Sequence, residues 1–333
     1  MTKQQIHLSF KLFYMSNKER YETLCKQRPE IPLFMQAWWL DAVCAPENKT
    51  WNVLLYEENG KIVGVMPYLL FKKWGFKVIL PPFYTKHSGI WIDYPQDMKL
   101  HTRYSFEKRV LDNLIDQLEA LKVSFFSQSF HHSFTNWQPF YWRGFKQTTR
   151  YTYQIKDLSN LEKVLNSFDY SKRARITNEK QFFVDFSLTP EKFYDFHKRT
   201  LLQRNSKIEY SEKFFVSIYN AAKNRNQGQI IALKDENDKL HSAIFLVWDK
   251  NSAYNLITSI DLESKSGTAS TKMFWEAIKF VSDKTKVFDF EGSMIKSVAQ
   301  SFQQFGAEQV PYFYIEKCSS SLLSILIKVK NKI

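Results

Sequence analysis

The sequence contains few of the residues that cross-link small secreted domains or bind metals. Its 333 residues include only three cysteines and seven histidines. Cys25, Cys44 and Cys318 form no C-x-x-C pair and have no histidine at metal-ligand spacing, so we expect neither a disulfide framework nor a zinc site. The adjacent His131 and His132 would face opposite ways on a strand. We therefore expect no metal, and the sparse cysteines favour a reducing, cytoplasmic location.

Long apolar runs and common catalytic motifs are missing too. The first 20 residues hold no apolar segment long enough for a signal peptide, and no stretch approaches the ~20 apolar residues of a membrane span. The patterns G-x-S-x-G, H-E-x-x-H and G-x-x-x-x-G-K-[ST] do not occur, which argues against hydrolases, zinc proteases and P-loop enzymes. The tail SSSLLSILIKVKNKI combines a short apolar run with three lysines. It either docks on the body of the protein or makes peripheral contact with a membrane surface.

Aromatic residues and positive charge are abundant. Aromatics reach 17%, with 29 Phe and 17 Tyr, which is enough for an extensive core. Lys and Arg number 47 against 34 Asp and Glu, giving a formal net charge of +13. That surplus favours an anionic partner such as a nucleotide-like cofactor, tRNA or a membrane surface; the alternative is a lysine-rich composition that only aids solubility. We expect no DNA partner.

The two halves of the chain repeat one order of predicted elements. Apolar runs flank Asn59-Gly60 in the first half and Asn237-Asp238 in the second, which predicts a β-hairpin in each. Each hairpin is followed by a strand, a helix and a further strand. We therefore predict an internal duplication of two intimately packed α/β units. The first is expected over residues 1–150 and the second over 151–315, with the tail 316–333 packing on the first.

This order of elements resembles the GNAT acyltransferase fold, and two such units resemble its Fem-like branch, which includes the peptidoglycan-bridge aminoacyltransferases. The segment FDFEGS…FQQFG is similar to a Fem-type pattern of an aspartate, a glycine and then F-K-x-x-F-G, and FMQAWWLDAV, MPYLL and ILPP resemble the opening of related acyltransferases. The resemblance implies an α/β (α+β) fold of two tandem GNAT-like units. The Fem lysine is replaced, since Ser301 and Phe302 stand at the corresponding positions. This departure argues against a peptidoglycan-precursor acceptor.

The segment LESKSGTAST leads directly into a predicted helix. Backbone N–H groups and the positive end of the dipole at a helix start attract anions. The segment is similar to the GNAT pyrophosphate loop, Q/R-x-x-G-x-G/A, but has Ser264 in the first position. The alternative is a plain Ser/Thr helix cap, which does not require Gly267. We expect acyl-CoA to be bound by the six residues Lys265, Ser266, Gly267, Thr268, Ala269 and Ser270.

The stretch FDFEGS alternates aromatic and acidic residues before a glycine. On a strand, this alternation puts the two phenylalanines on one face and Asp289 and Glu291 on the other. We predict that Glu291 is the general base of an acceptor site in the cleft between the units, and that Asp289 orients the acceptor's ammonium. Tyr312 or Tyr314 would donate the proton to the leaving group. The alternative is that the carboxylates only pair with nearby Arg or Lys.

Basic and aromatic residues mark two further segments. In YSKRARITNEKQ, Lys172 and Arg175 share a helical face, which either meets an anionic donor, tRNA or sugar phosphate or is a solvated surface. In RYTY, Arg150 and Tyr151 lie near the join of the halves, where Arg150 would line a cleft or form a buried ion pair. We predict that Arg150, Tyr151 and Arg175 bind substrate.

The leading hypothesis is an N-acyltransferase that moves an acyl group from acyl-CoA to an amine of a small cell-envelope precursor, an amino sugar or a peptide. One alternative is a Fem-like enzyme whose donor is aminoacyl-tRNA. The other is a non-catalytic GNAT-like module whose basic surface binds an anionic partner.

Overall fold

The protein is described by a computed structural model, which covers residues 15–178, 182–264, 267–292 and 294–330. The chain divides into two compact units. One ends at Thr149 and takes up again at Tyr312, and the other runs from Arg150 to Pro311.

Helices and strands both occur along the whole described chain. The elements up to the first boundary are α1 (Asn17–Gln27), α2 (Ala37–Cys44), β1 (Trp51–Glu58), β2 (Lys61–Lys73), β3 (Phe76–Ile79), β4 (Trp91–Ile92), α3 (Leu100–Ala120), β5 (Phe125–Ser129) and α4 (Gln138–Trp142). The elements that follow are β6 (Lys146–Ile155), α5 (Leu161–Asn166), α6 (Tyr170–Asn178), β7 (Phe183–Asp185), α7 (Pro190–Leu202), α8 (Glu212–Lys223), β8 (Gly228–Lys234), β9 (Leu240–Trp248), β10 (Ser252–Ile260), α9 (Thr268–Val281), β11 (Val287–Asp289), α10 (Lys296–Gln303), β12 (Glu308–Cys318) and α11 (Ser321–Lys330).

The first unit is built on the hairpin of β1 and β2. Its turn is formed by Asn59 and Gly60, both with positive φ, and Glu58 pairs with Lys61 across it. β3 continues the sheet antiparallel to β2, and β5 pairs parallel to β3. α3 lies between β3 and β5 in sequence and buries its apolar side against this sheet. The antiparallel hairpin, crossover helix and parallel strand therefore form one mixed α/β layer structure.

The second unit repeats this arrangement. β8 and β9 form an antiparallel hairpin, β10 adds antiparallel to β9, and β11 adds parallel to β10. α9 lies between β10 and β11 in sequence, and its buried residues join the core formed by these strands. Because strand directions and the position of the crossover helix agree in both units, the structure supports the predicted internal duplication.

The last strand of the first unit comes from the far end of the sequence. Residues Tyr314–Cys318 of β12 pair antiparallel with β5, in the first unit. Residues Gln154 and Ile155 of β6 pair antiparallel with β11, in the second unit. The pairing of β12 with β5 explains why the first unit resumes at Tyr312, whereas the sequence placed the second boundary after residue 315.

The three cysteines are free thiols. Cys25 and Cys44 are buried, and Cys318 is exposed. None of the described helices has both the length and the apolar composition needed to cross a bilayer. Within the described ranges, no group of three or more His, Cys, Asp or Glu side chains is arranged to hold a metal ion.

Candidate functional site

The loop that leads into α9 is held by buried polar contacts. Asp261 is buried, and its Oδ1 accepts a hydrogen bond from Gln203 Nε2 at 2.9 Å. His241 bridges the loop to the β8–β9 turn, with 2.6 Å between its Nδ1 and Ser264 Oγ and 2.9 Å between its Nε2 and Asp235 Oδ2. These contacts fix the loop on a rigid hairpin, which is a favourable way to position a binding site.

Gly267 is the N-cap of α9 and has φ 65°. Its carbonyl accepts hydrogen bonds from Ser270 Oγ at 2.8 Å and from Thr271 Oγ1 at 2.9 Å. These hydroxyl groups are therefore turned back on the first turn, whereas the first backbone N–H groups of a helix have no partner within the helix and are the groups with which helix starts bind anions. Of the six residues predicted for the donor, Lys265 and Ser266 lie outside the described residues.

Thr268 and Ala269 lie in the first turn of α9. Both side chains are buried in the second unit. The carbonyl of Ala269 accepts a hydrogen bond from Ser242 Oγ of β9 at 3.1 Å, which ties the first turn of α9 to the sheet.

Arg175 lies directly against this helix start. A Cβ atom placed on Gly267 would be 3.2 Å from Arg175 Nη1, so the glycine leaves the space into which the guanidinium extends. The sequence predicted both residues as ligand-binding but gave no reason to bring them together. A guanidinium beside the first N–H groups of a helix concentrates two sources of positive potential at one point.

Lys172 lies on α6 with Arg175 and is only 5% exposed. Its Nζ donates a hydrogen bond to Ser301 Oγ at 3.2 Å and lies 4.5 Å from the centre of the Phe305 ring. Burial, reinforced by the nearby charge of Arg175 and opposed by that of Asp169, lowers the pKa of Lys172 to about 8. The ammonium therefore lies beside Ser301, one of the two positions where the Fem-type pattern has its lysine.

The structure corrects the predicted geometry of FDFEGS. β11 ends at Asp289, and Glu291 takes φ 68°, so strand alternation does not extend to Glu291. The physical reason is a local turn, because Asp289 Oδ1 accepts a hydrogen bond from the N–H of Glu291 at 2.8 Å. Glu291 is half-buried at this turn, while Phe288 and Phe290 are buried in the core.

Asp289 is itself buried among polar side chains of β6. Its Oδ1 also accepts a hydrogen bond from Thr152 Oγ1, and its Oδ2 accepts one from Gln154 Nε2 at 2.8 Å. With these donors in place, the carboxylate organises the strand end and the turn that carries Glu291. Sequence analysis missed Thr152 and Gln154, although their spacing of two residues on a predicted strand was available as a pattern.

The pairing between β10 and β11 ends next to this turn. It runs in parallel from Ser252↔Val287 to Tyr254↔Asp289. Just beyond it, between Asn255 and Ile257, the register of β10 against β9 shifts. Asn255 Nδ2 donates a hydrogen bond to the Phe290 carbonyl at 3.2 Å. Burial, with the nearby charges of Asp249, Asp289 and Glu291, raises the pKa of Tyr254 well above its usual value. An irregular strand beside a strand end is a common setting for a ligand site.

The remaining predicted site residues lie on β12 and β6. Tyr312 and Tyr314 lie on β12, and both belong to the first unit. Arg150 and Tyr151 lie on β6 in the second unit and are half-buried.

No family model matches the chain, and no curated protein matches it in sequence. Solved structures do. A FemX crystal structure superposes with a TM-score of 0.68 at 13% identity, covering 90% of this chain and 96% of that one. The structure of L-PGS from Bacillus licheniformis gives 0.51 at 13% identity, covering 88% and 91%. A conserved protein of unknown function from Bacteroides thetaiotaomicron gives 0.52 at 11% identity, covering 84% and 88%.

The fold is tandem GNAT-like. The predicted resemblance to the Fem-like branch is confirmed at the level of fold, since the FemX match extends over both units. Identities of 11–13% support a shared architecture alone. The donor and the acceptor have to be inferred from this chain's own residues. In the tandem GNAT-like fold of this protein, the second unit carries the start of α9 with Arg175 against it, the buried Lys172 on the same helix as Arg175, and the turn at Glu291.

Proposed function

We propose that this protein is an N-acyltransferase whose donor, acyl-CoA, is bound by its pyrophosphate at the start of α9. The observation that carries the proposal is the position of Arg175, whose Nη1 lies next to the one backbone position of the helix start that has no side chain. Guanidinium groups bind phosphate oxygens through two parallel hydrogen bonds, and helix N-termini bind them through N–H groups. The predicted donor residues Lys265 to Ser270 remain part of the proposed site.

Lys172 supports the same proposal. Its buried ammonium has a serine hydroxyl and an aromatic ring as neighbours, and these stabilise a charge less well than an anion would. A bound pyrophosphate would supply negative charge to both Lys172 and Arg175. The cost of burying the lysine in the free protein would then be offset in the complex.

The proposed reaction is transfer of the acyl group to an amine. The amine nitrogen attacks the thioester carbonyl, the C–N bond forms and the C–S bond breaks. Glu291 would accept the proton that the amine loses, directly or through water, and Tyr312 or Tyr314 would protonate the departing thiolate. Asp289 would act as a positioning residue, since it accepts the backbone N–H of Glu291.

The proposed acceptor is an amine of a small cell-envelope precursor, an amino sugar or a peptide, with Arg150 and Tyr151 as acceptor-binding residues. The proposed location is the cytoplasm, in keeping with three free cysteines. The net charge of +13 favours aminoacyl-tRNA as the second candidate donor. A third candidate is a non-catalytic module that binds an anionic partner at the same basic site.

The test is an assay of thiol release with a series of acyl-CoA donors and amine acceptors. For Glu291→Gln we expect turnover to fall by ~10²–10⁴-fold, the usual contribution of a general base, with donor affinity unchanged. Glu308→Gln is the matched control, because Glu308 is exposed and its carboxylate pairs with Lys156 at the surface. If only aminoacyl-tRNA supports transfer, aminoacyl-tRNA replaces acyl-CoA as the proposed donor. Binding of either donor without turnover would support the non-catalytic module.

A further inference from the structure

An exposed apolar surface lies at the C-terminal end of the first unit. It comprises Trp74, at the turn between β2 and β3, and three residues of α11, namely Leu322, Ile325 and Leu326; we call these four residues the tail patch. Trp74 is 62% exposed, Leu322 61% and Ile325 59%. Large apolar side chains grouped in this way are unusual on a protein surface that faces only water.

The β2–β3 turn and α11 are neighbours in space. Ser124 connects them, since its N–H donates to the Lys77 carbonyl at 2.8 Å and its carbonyl accepts from the N–H of Ser319 at 2.9 Å. Trp74, Leu323 and Ile327 also line one cavity, with a volume of about 280 Å³. The two segments that carry the tail patch therefore lie side by side.

α11 is docked on the first unit by one side only. Leu323 is 3% exposed and holds the helix to the unit. Leu322, Ile325 and Leu326 follow the i, i+3, i+4 spacing of a single helical face and stay in solvent. A helix with one docked and one exposed apolar face has its second face available for another apolar environment.

The surroundings of the tail patch are basic. Lys72, Lys73 and Lys77 are exposed on the β2–β3 hairpin, and Lys122 is exposed beside Ser124. Residues 71–80 and 317–333 contain no Asp or Glu. An apolar strip with exposed tryptophan and a lysine rim matches the interface of a bilayer, where apolar groups enter the acyl boundary and lysines meet anionic headgroups.

We infer that the tail patch binds the surface of an anionic lipid bilayer. Trp74 and the exposed face of α11 enter the interface, and the lysines of the hairpin contact the headgroups. A second copy of the chain fits the surface poorly, because a symmetric contact would bring the two lysine rims together. The inference does not depend on the proposed donor or reaction.

The experiment is flotation of the full chain with vesicles of phosphatidylcholine alone and of phosphatidylcholine with about one third phosphatidylglycerol. We expect binding to the anionic vesicles only. Trp74→Asn is expected to lower the partition coefficient about ten-fold, and it should fold because asparagine tolerates the positive φ of this position. Lys72→Glu with Lys73→Glu is expected to lower it by at least about ten-fold.

Matched controls separate the tail patch from general surface effects. Leu202→Gln removes an equally exposed apolar side chain of the second unit, and Lys213→Glu reverses an exposed charge on α8; both should bind like the unchanged protein. The inference is overturned if the unchanged chain stays with the unbound fraction, or if the Trp74 and lysine variants float as well as the controls. It is also overturned if Trp74→Asn only dissociates a dimer and leaves vesicle binding intact.

Discussion

The ammonium of Lys172 lies beside a serine hydroxyl and an aromatic ring, both weaker partners than a carboxylate. Its pKa of about 8 follows chiefly from burial. A group in this state gains from a bound anion, because the anion adds negative charge to that of the nearby Asp169. At the scale of single residues, Lys172 is therefore expected to couple donor binding to pH.

We predict that the affinity for CoA decreases as pH rises from about 7.5 to 9.5, because the ammonium loses its proton near pH 8. Lys172→Arg should keep its charge and show a flat profile over this range. Isothermal titration calorimetry in buffers of different ionisation enthalpy measures both the affinity and the proton uptake. A flat profile for the unchanged protein would show that Lys172 does not contact the donor.

The lowered pKa of Lys172 also makes the free energy of unfolding depend on pH. The folded-state pKa of Lys172 lies below the ordinary value of 10.5, so the unfolded chain holds the proton longer as pH rises. The free energy of unfolding should therefore increase between about pH 8 and 10.5 through this group. Lys172→Met should lack this increase in the free energy of unfolding, which urea titrations at about pH 8 and about pH 10.5 would measure.

At the scale of elements, local chemistry made the hairpins predictable. Asn59-Gly60 specifies a tight turn within four residues, and the structure has that turn. The end of β11 was not predictable in the same way, because strand alternation was extended past Asp289 to Glu291. The turn there depends on where one carboxylate finds its donors, and two of them come from β6.

The start of α9 offers the sharpest test at this scale. Gly267→Val should cost about 1–2 kcal/mol of stability, because φ 65° is unfavourable for a side chain. It should also weaken CoA binding by about ten-fold or more, since the new side chain would push Arg175 Nη1 aside.

Gly60→Val is the matched control for that substitution. Gly60 also has positive φ, at 75°, and a Cβ atom there would meet nothing within 4 Å. Similar loss of stability with unchanged CoA affinity is expected, measured by thermal unfolding and calorimetry. If both variants bind CoA like the unchanged protein, the donor does not lie at the start of α9.

At the scale of the whole molecule, the sequence predicted a duplication and a tail that packs on the first unit, but not that β12 pairs with β5. The repeated turns lie within each half, whereas the pairing of β12 with β5 joins residues far apart in the chain. Nothing in the composition of β12 favours β5 over another partner. Likewise, the proximity of Arg175 and Gly267 depends on tertiary packing, which residue spacing does not encode.

Truncation tests the pairing of β12 with β5. Deleting residues 312–333 removes one of the two strand partners of β5, together with Ile315, which is fully buried. Losing one such side chain alone costs about 2–5 kcal/mol, a large share of a typical stability of about 5–15 kcal/mol. We expect the first unit to unfold, as judged by hydrogen exchange of β5.

Deleting only residues 321–333 is the control for that truncation. β12 is retained in this variant, so the first unit should stay folded while vesicle binding through α11 is lost. Equal protection of β5 against hydrogen exchange in both truncated chains would contradict the structural role assigned to β12.

The central claim is that the second unit binds CoA with Arg175 at the start of α9. The most direct measurement is calorimetric titration of CoA into the unchanged protein, Arg175→Ala and Arg173→Ala. Arg173 lies on the same helix, but its Nη1 donates to the Asn166 carbonyl at 3.0 Å, so its loss should leave binding intact. We predict that Arg175→Ala weakens CoA binding by about 10–100-fold, as expected for a charge-assisted contact. Absence of CoA binding by the unchanged protein, or equal affinity in all three chains, would contradict the account.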